Sequence, residues 1–481
     1  MSSHIHDQAI QYIFQQVLHR LLKHMNHAQR ASLQLLIKRL VNAAGGPDAL
    51  GGFTLLAIDS GDRNSAHALA CLRAAQLNLA TRLPQTFNLR VIAVPSPGRY
   101  LEALDYHERC FSALFLHDDP RVQLLVASGG QLQPFCSQWP ATAEHQARER
   151  DALLMFGHLC KGSPDNLFGS RRQLALAEGY ALALTGAEGV DAFVTGVPAR
   201  LRQRQLAWSR RCLRAAGLAI PRSIPFCERN LADSLKRAQA LLPWACPAGE
   251  NLSPGRPTSA CNQAALQVVT IDDLLVDTPQ DDWLECMLGS LETERAWGST
   301  AFACDALPLA HLHGLRARLI EQRTYEEGVR CLRATLPRDV WEEGYLQSDA
   351  VREQAEEHFR QGYDIEETQL ACLLFTPFSM RGRGLETYLR TCHPSMRVAA
   401  PYMHKALRGE QCPKAVSQWL SDTSGLSLPR LQRLYADLRL PTHCQRLLAL
   451  LARRDVELRY VNPSPSSTSS QRPSGWRPDA P

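Results

Sequence analysis

The sequence predicts an α/β fold: a mainly parallel sheet domain of three-layer type, with an N-terminal helical arm before it and a C-terminal all-helical domain after it. Three observations carry this. Between residues 53 and 216, short apolar runs ending in small polar residues alternate with helical patterns, as in a parallel sheet covered on both faces. Ahead of them, apolar residues from Ile10 to Val41 recur at helical spacing. From about Leu307 to Arg454 the chain reads almost wholly as helices, with short breaks at Pro337, Gly362, Pro377, Pro394, Pro401 and Pro413.

A chain of 481 residues has room for two or three domains with proper cores. The expected division is a helical arm at 1–46, a Rossmann-like sheet domain at 50–245, a linker with one short strand at 246–306, a helical domain at 307–460 and a disordered tail at 461–481. The apolar fraction of 45% and charged fraction of 21% are those of an ordinary globular protein. A net charge of +5, from 53 basic and 48 acidic residues, allows an acidic partner without requiring one. No run of about 18 apolar residues marks a membrane span, and no secretory leader is legible, so the expected compartment is the cytoplasm. The fifteen cysteines stand singly, without metal-ligand spacing, and are expected to be reduced, mostly buried apolar groups.

Taken in order, residues 7–43 read as helix, capped by Asp7 and broken near Asn26-His27. Lys23, His24, His27, Arg30, Lys38 and Arg39 give this arm a basic face. A strand at 53–59, a helix over Ala66–Leu83 and a strand over Leu89–Val94 form the first unit. A helix over Tyr100–Cys110 and strands over Ala113–Leu116 and Val122–Ala127 follow. Helices are expected near 142–160 and over Arg171–Leu184, a strand over Asp191–Gly196, an arginine-rich helix over 198–216 and a strand over Leu266–Ile271. Beyond these, Glu342–Arg360, Ile365–Phe375 and Leu428–Leu451 are the clearest helices.

The chemistry concentrates in Ile58-Asp59-Ser60-Gly61-Asp62-Arg63-Asn64-Ser65, the turn between the first strand and its helix. Ligands of such sheets sit beyond the carboxyl ends of the strands, and backbone N–H groups with serine hydroxyls at a helix N-terminus hold anionic oxygens. Ser60 to Ser65 resembles the SGGxDS loop of PP-loop ATP pyrophosphatases, with Asp62 in place of the second glycine and Asn64 in place of the aspartate. That resemblance implies a nucleotide site for ATP in which Ser60, Gly61, Asn64 and Ser65 hold phosphate; Asp59 or Asp62 would hold its Mg²⁺. Ile58-Asp59-Ser60-Gly61 is also similar to the opening of ribonuclease-H-like nucleases and actin-like ATPases, which implies a metal-binding Asp59, with Asp118, Asp119 and Asp191 to complete a carboxylate site. A third reading leaves Asp59 or Ser60 as a helix cap and Gly61 as the residue that permits the bend.

Ser128-Gly129-Gly130 and Thr195-Gly196 end further predicted strands and would share the edge with Asp59–Ser65, forming a shallow pocket in which Ser128, Gly129 and Gly130 join the expected cofactor contacts. The arginine helix supplies the best anionic contacts, Arg202, Arg210 and Arg211, and its Trp208 could stack on a base. Two functions follow as expectations. One is a nucleotide- or phosphate-binding α/β protein. The other is a non-catalytic scaffold in a bacterial-type assembly or secretion system, contacting a partner protein through its helical domain. Nucleic-acid binding through the arginine helix stands third.

Overall fold

The computed structural model describes residues 2–61, 63–95, 98, 100–128, 131–136, 143–165, 167, 182, 189–196, 199–215, 217, 267–274, 306–334, 348–436 and 442–451. The helix expected over Arg171–Leu184 (Leu182 apart), the linker composition at 246–262, the break at Pro337 and the tail at 461–481 lie outside them.

Helices α1 (Ser2–His24) and α2 (His27–Ala44) come first. The break between them is built by Asn26, whose side chain accepts the Gln29 N–H at 2.9 Å while Gln29 Oε1 accepts the Asn26 N–H at 2.9 Å. Asp7 is not the cap expected of it: α1 starts at Ser2, and a residue inside a helix lacks the extended backbone a cap requires.

The sheet follows the first apolar runs. Strands β1 (Thr54–Asp59) and β2 (Asn88–Ala93) flank helix α3 (Arg63–Ala80). Helix α4 (Tyr100–Ala113) leads to β3 (Val122–Ser128) and β4 (Gln131–Pro134). Helix α5 (Ala143–Leu159), β5 (Ala192–Thr195), α6 (Ala199–Ala215) and β6 (Gln267–Thr270) complete this part. The sheet is mixed and six-stranded, in the order β4-β3-β2-β1-β5-β6. Every neighbouring pair is parallel except β3–β4.

One expected strand is absent. Ala113 closes α4, and Leu114 to Leu116 form its exit rather than a strand. The cause is Arg73, a fully buried residue of α3, whose guanidinium donates to the carbonyls of Leu114 (3.1 Å) and Phe115 (2.8 Å). Phe115 takes a left-handed φ of 53° to present its carbonyl.

Side chains alternate across the strands as the pleat demands. Leu55, Ala57, Leu89, Val91 and Val194 join α1 to α4 in one core, whereas Leu56, Ile92, Val94 and Phe193 cluster on the other face. Arg39 of α2 is not part of a free basic face. Its guanidinium grips Asp273 at 2.7 and 2.6 Å and the Thr270 carbonyl at 2.8 Å, tying α2 to the end of β6.

The C-terminal half holds α7 (Ala306–Leu319), α8 (Tyr325–Arg333), α9 (Ser348–Tyr363), α10 (Glu367–Phe375), α11 (Leu385–Cys392), α12 (Ala400–Leu407), α13 (Lys414–Ser424), α14 (Leu428–Tyr435) and α15 (Thr442–Leu451). Their core also takes in Leu153, Leu154 and Phe156 of α5 and Trp208, Cys212 and Leu213 of α6. Those two helices therefore pack with the C-terminal helices, although they alternate with strands along the chain.

Candidate functional site

Asp59 is the last residue of β1, the strand from which β2 and β3 extend to one side and β5 and β6 to the other. The chain reverses its direction of travel across the sheet between β1 and β5, and crevices for ligands form beyond the carboxyl ends of strands at such points. The turn singled out in the sequence thus stands at the place where the topology makes a crevice.

The carboxylate of Asp59 is 1% exposed. Its Oδ1 accepts the Gly61 N–H at 3.1 Å and the Ser65 hydroxyl at 2.7 Å; its Oδ2 lies 2.8 Å from His107 Nδ1. Gly61 holds φ +71°, a left-handed bend that brings its N–H back toward the carboxylate at no steric penalty. Burial would raise the Asp59 carboxyl, but the charge and hydrogen bond of His107, with those of Ser65 and Gly61, outweigh it and hold Asp59 below the usual carboxylate range.

His107 reaches Asp59 from α4. Leu104, His107 and Phe111 share its buried side, and the ring stacks on Phe111 at 5.9 Å. With Nδ1 committed to Asp59, Nε2 is buried with no hydrogen-bond partner among the described residues. Cys110, one turn on, is buried, and burial and the Asp59 charge push its thiol well above the usual range, so it is no nucleophile.

The other predicted residues are distributed as follows. Ser60 is half-buried at the bend, and Asn64 stands in the first turn of α3; Asp62, Gly129 and Gly130 lie outside the described residues. Ser128 ends β3, two strands from β1, and pairs with Gln131 of antiparallel β4, so this turn leads into a hairpin strand rather than a helix. On α6, Arg202 has a backbone position in the first two turns, Arg210 is exposed and Arg211 half-buried. Trp208 cannot stack on a base, because it is 3% exposed inside the helical core.

The carboxylate set proposed around Asp59 does not assemble. Asp119 binds Arg73 at 2.6 Å and Arg121 at 2.7 Å, Asp118 is exposed, and Asp191 accepts the Thr54 N–H at the opposite end of β1. Among the described residues no group of three or more His, Cys, Asp or Glu could hold a metal ion. Asp59 is buried, with both of its oxygens hydrogen-bonded within the chain.

Sequence reasoning missed His107 and Arg73. The signal for each was a lone polar residue within an apolar helical stripe, which says that a partner exists without saying where.

Fold and site define an α/β protein with a mixed sheet, a largely helical remainder and a buried carboxylate–imidazole pair at the sheet's switch point. No family model, curated protein or solved structure matches the chain. No helix among the described residues is long and apolar enough to cross a membrane.

Proposed function

We propose that the chain is a non-catalytic interaction protein, in which a three-layer α/β domain is a rigid scaffold and the helical C-terminal half contacts protein partners in a larger assembly, in the cytoplasm. The supporting observation is the saturation of Asp59. In a phosphate-binding turn the backbone N–H and serine hydroxyl face an anionic ligand. Here Gly61 and Ser65 face the chain's own buried carboxylate.

The second reading, a nucleotide or phosphate ligand held by Ser60, Gly61, Asn64 and Ser65, is favoured by one observation: the turn occupies the switch point and opens an 18-residue helix. It requires the Ser65 hydroxyl to leave Asp59. Nucleic-acid binding through Arg202, Arg210 and Arg211 stands third, and a steep salt dependence would mark it.

Thermal unfolding with and without millimolar ATP, GTP and Mg²⁺ separates the first two. A ligand at about 100 times its dissociation constant stabilises by roughly 2.7 kcal/mol, enough to move the midpoint by degrees. The expected result is no shift. A shift that disappears in Ser60→Ala/Ser65→Ala puts the ligand reading ahead.

A further inference from the structure

Two surface features of the helical half are complementary to each other. Between Ser379 and Arg433 the chain carries nine Arg and Lys against three acidic residues, an excess of six where the whole chain has +5. Within this stretch the 3-10 turn Pro394–Ala399 runs directly into α12. Val398, Tyr402 and Lys405 follow one another there at i, i+4 and i+7, the spacing of one helix side. Val398 is 85% exposed and Tyr402 47%, and the Lys405 ammonium lies 5.9 Å from the Tyr402 ring centre. The opposite side of α12 buries Met403, Ala406 and Leu407. The result is an apolar ridge that carries the Lys405 ammonium, with nothing described against it; Arg397 and Arg408 beside it pair with Glu386 and Glu410.

The second feature is a groove of about 380 Å³ between the end of α9 and the start of α10. Its floor is apolar, from the buried side chains of Phe359, Ile365 and Leu370. Five glutamates and one arginine rim it. Three of the glutamates are balanced by arginines: Glu356 by Arg352, Glu367 by Arg352 and Arg318, and Glu357 by Arg360. Glu353 and Glu366 form no ion pair among the described residues.

We propose that the Val398–Tyr402–Lys405 ridge of one molecule docks in the acidic groove of a second copy. An acidic partner would account for the ridge alone and a basic partner for the groove alone, whereas a second copy accounts for both. Val398 and Tyr402 cover the groove, and Lys405 meets the rim glutamates Glu353 and Glu366. Because the two surfaces differ, the contact is head to tail, and a pair of copies retains one free ridge and one free groove, so association continues into a ring or a filament. This deepens the interaction reading above by naming a partner.

The test is sedimentation of the full chain over a range of concentrations and salt, with two variants. A ridge variant, Val398→Asp/Tyr402→Ala, and a groove variant, Glu353→Lys/Glu366→Lys, alter exposed side chains, and circular dichroism checks that both fold; Lys405→Glu and Glu353→Gln replace whichever does not. The wild type is expected to gain mass with concentration and lose it as salt rises. Each variant alone stays monomeric, its apparent dissociation constant raised by about tenfold or more. Mixed in equal amounts, the variants stop at dimers, since only one competent ridge and one competent groove remain. A monomeric wild type, or association that survives in either variant, overturns the proposal. A monomeric wild type with no nucleotide shift removes self-association only, while a nucleotide shift lost in Ser60→Ala/Ser65→Ala bears on the interaction reading itself.

Discussion

The Asp59 carboxylate and the His107 imidazole meet at 2.8 Å with both side chains buried, joining the end of the central strand to the helix after its neighbour. Their chemistry sets the first expectation. Asp59 sits below its ordinary range in the folded chain, so the unfolded chain takes up the proton first as pH falls. The stability this pair contributes is complete above the unfolded aspartate value of about 3.9 and is lost as pH falls through the lower folded value. Asp59→Asn should therefore flatten the acid end of a stability–pH curve measured by urea titration. At neutral pH it should cost about 3–5 kcal/mol, because it leaves His107 buried beside a neutral partner. A variant that is as stable as wild type and keeps the acid slope would show that the pair does not hold the turn.

A second pH window lies higher. His158 and His311 are buried, and burial lowers each imidazole to about 4. Neither nitrogen of His158 has a hydrogen-bond partner among the described residues, while His311 Nδ1 lies 2.9 Å from the Tyr325 hydroxyl. A histidine kept neutral in the fold is protonated first in the unfolded chain, so stability should fall as pH drops from about 6.5 to about 4 and then level off for these groups. His158→Leu should remove part of that slope and leave the more acidic Asp59 window untouched. An unchanged slope between these limits would mean that His158 is charged in the folded chain.

Arg73 and Asp119 form the third test. They meet at 2.6 Å with no exposure of either side chain, and Arg73 also serves the Leu114 and Phe115 carbonyls. The Phe14 ring of α1 lies 5.0 Å from the same guanidinium, so one charge pair fastens α4, the β3 approach and the arm. Asp119→Ala should destabilise by about 3–5 kcal/mol by stranding the guanidinium. Adding Arg73→Met should restore part of that loss, and strictly additive effects in the double variant would sink the pairing argument.

How far the sequence reveals all this differs from residue to residue. The apolar runs at 54–59, 88–93, 122–128, 192–195 and 267–270 are legible as strands because they are short, bounded by polar turns and separated by helical patterns. Gln131–Pro134 is not legible, since it is short, half polar and ends in proline, and only pairing with Leu125 to Ser128 makes it a strand. Ala113–Leu116 misleads for the converse reason: a short apolar run has no period, so a buried helix exit looks like a strand. The turn at Asp59 is visible as a motif, but its contents are not. His107 lies 48 positions further on, and no local pattern ties it to this carboxylate. Trp208 beside many arginines suggests a binding surface until the helical core claims its ring.

The last prediction concerns how the sheet and the helical half hold each other. Gly98, in the connection from β2 to α4, and Gly362, in α9, approach so closely that a Cβ at 362 would lie 1.9 Å from the Gly98 carbonyl oxygen. A Cβ at 98 would in turn lie 2.2 Å from the ring of buried Tyr363, and Gly98 has φ +80°, which disfavours any side chain there. The obstacle at 362 is backbone, so no rotamer change relieves it, and Gly362→Ala must push α9 away from the sheet. The nearby links, Gln146 to the Gln361 carbonyl at 2.7 Å and Arg150 to Asp364 at 3.0 Å, would move with it. Overpacking of this kind costs about 1–3 kcal/mol. Gly384→Ala is the control, because its nearest neighbour would stand at 3.4 Å and its φ is −87°. Urea unfolding followed by tryptophan fluorescence and by far-ultraviolet dichroism should show Gly362→Ala clearly weaker than Gly384→Ala, and the two probes should separate as the sheet and helical cores lose their coupling. Equal midpoints for the two variants would mean that the halves do not depend on this contact.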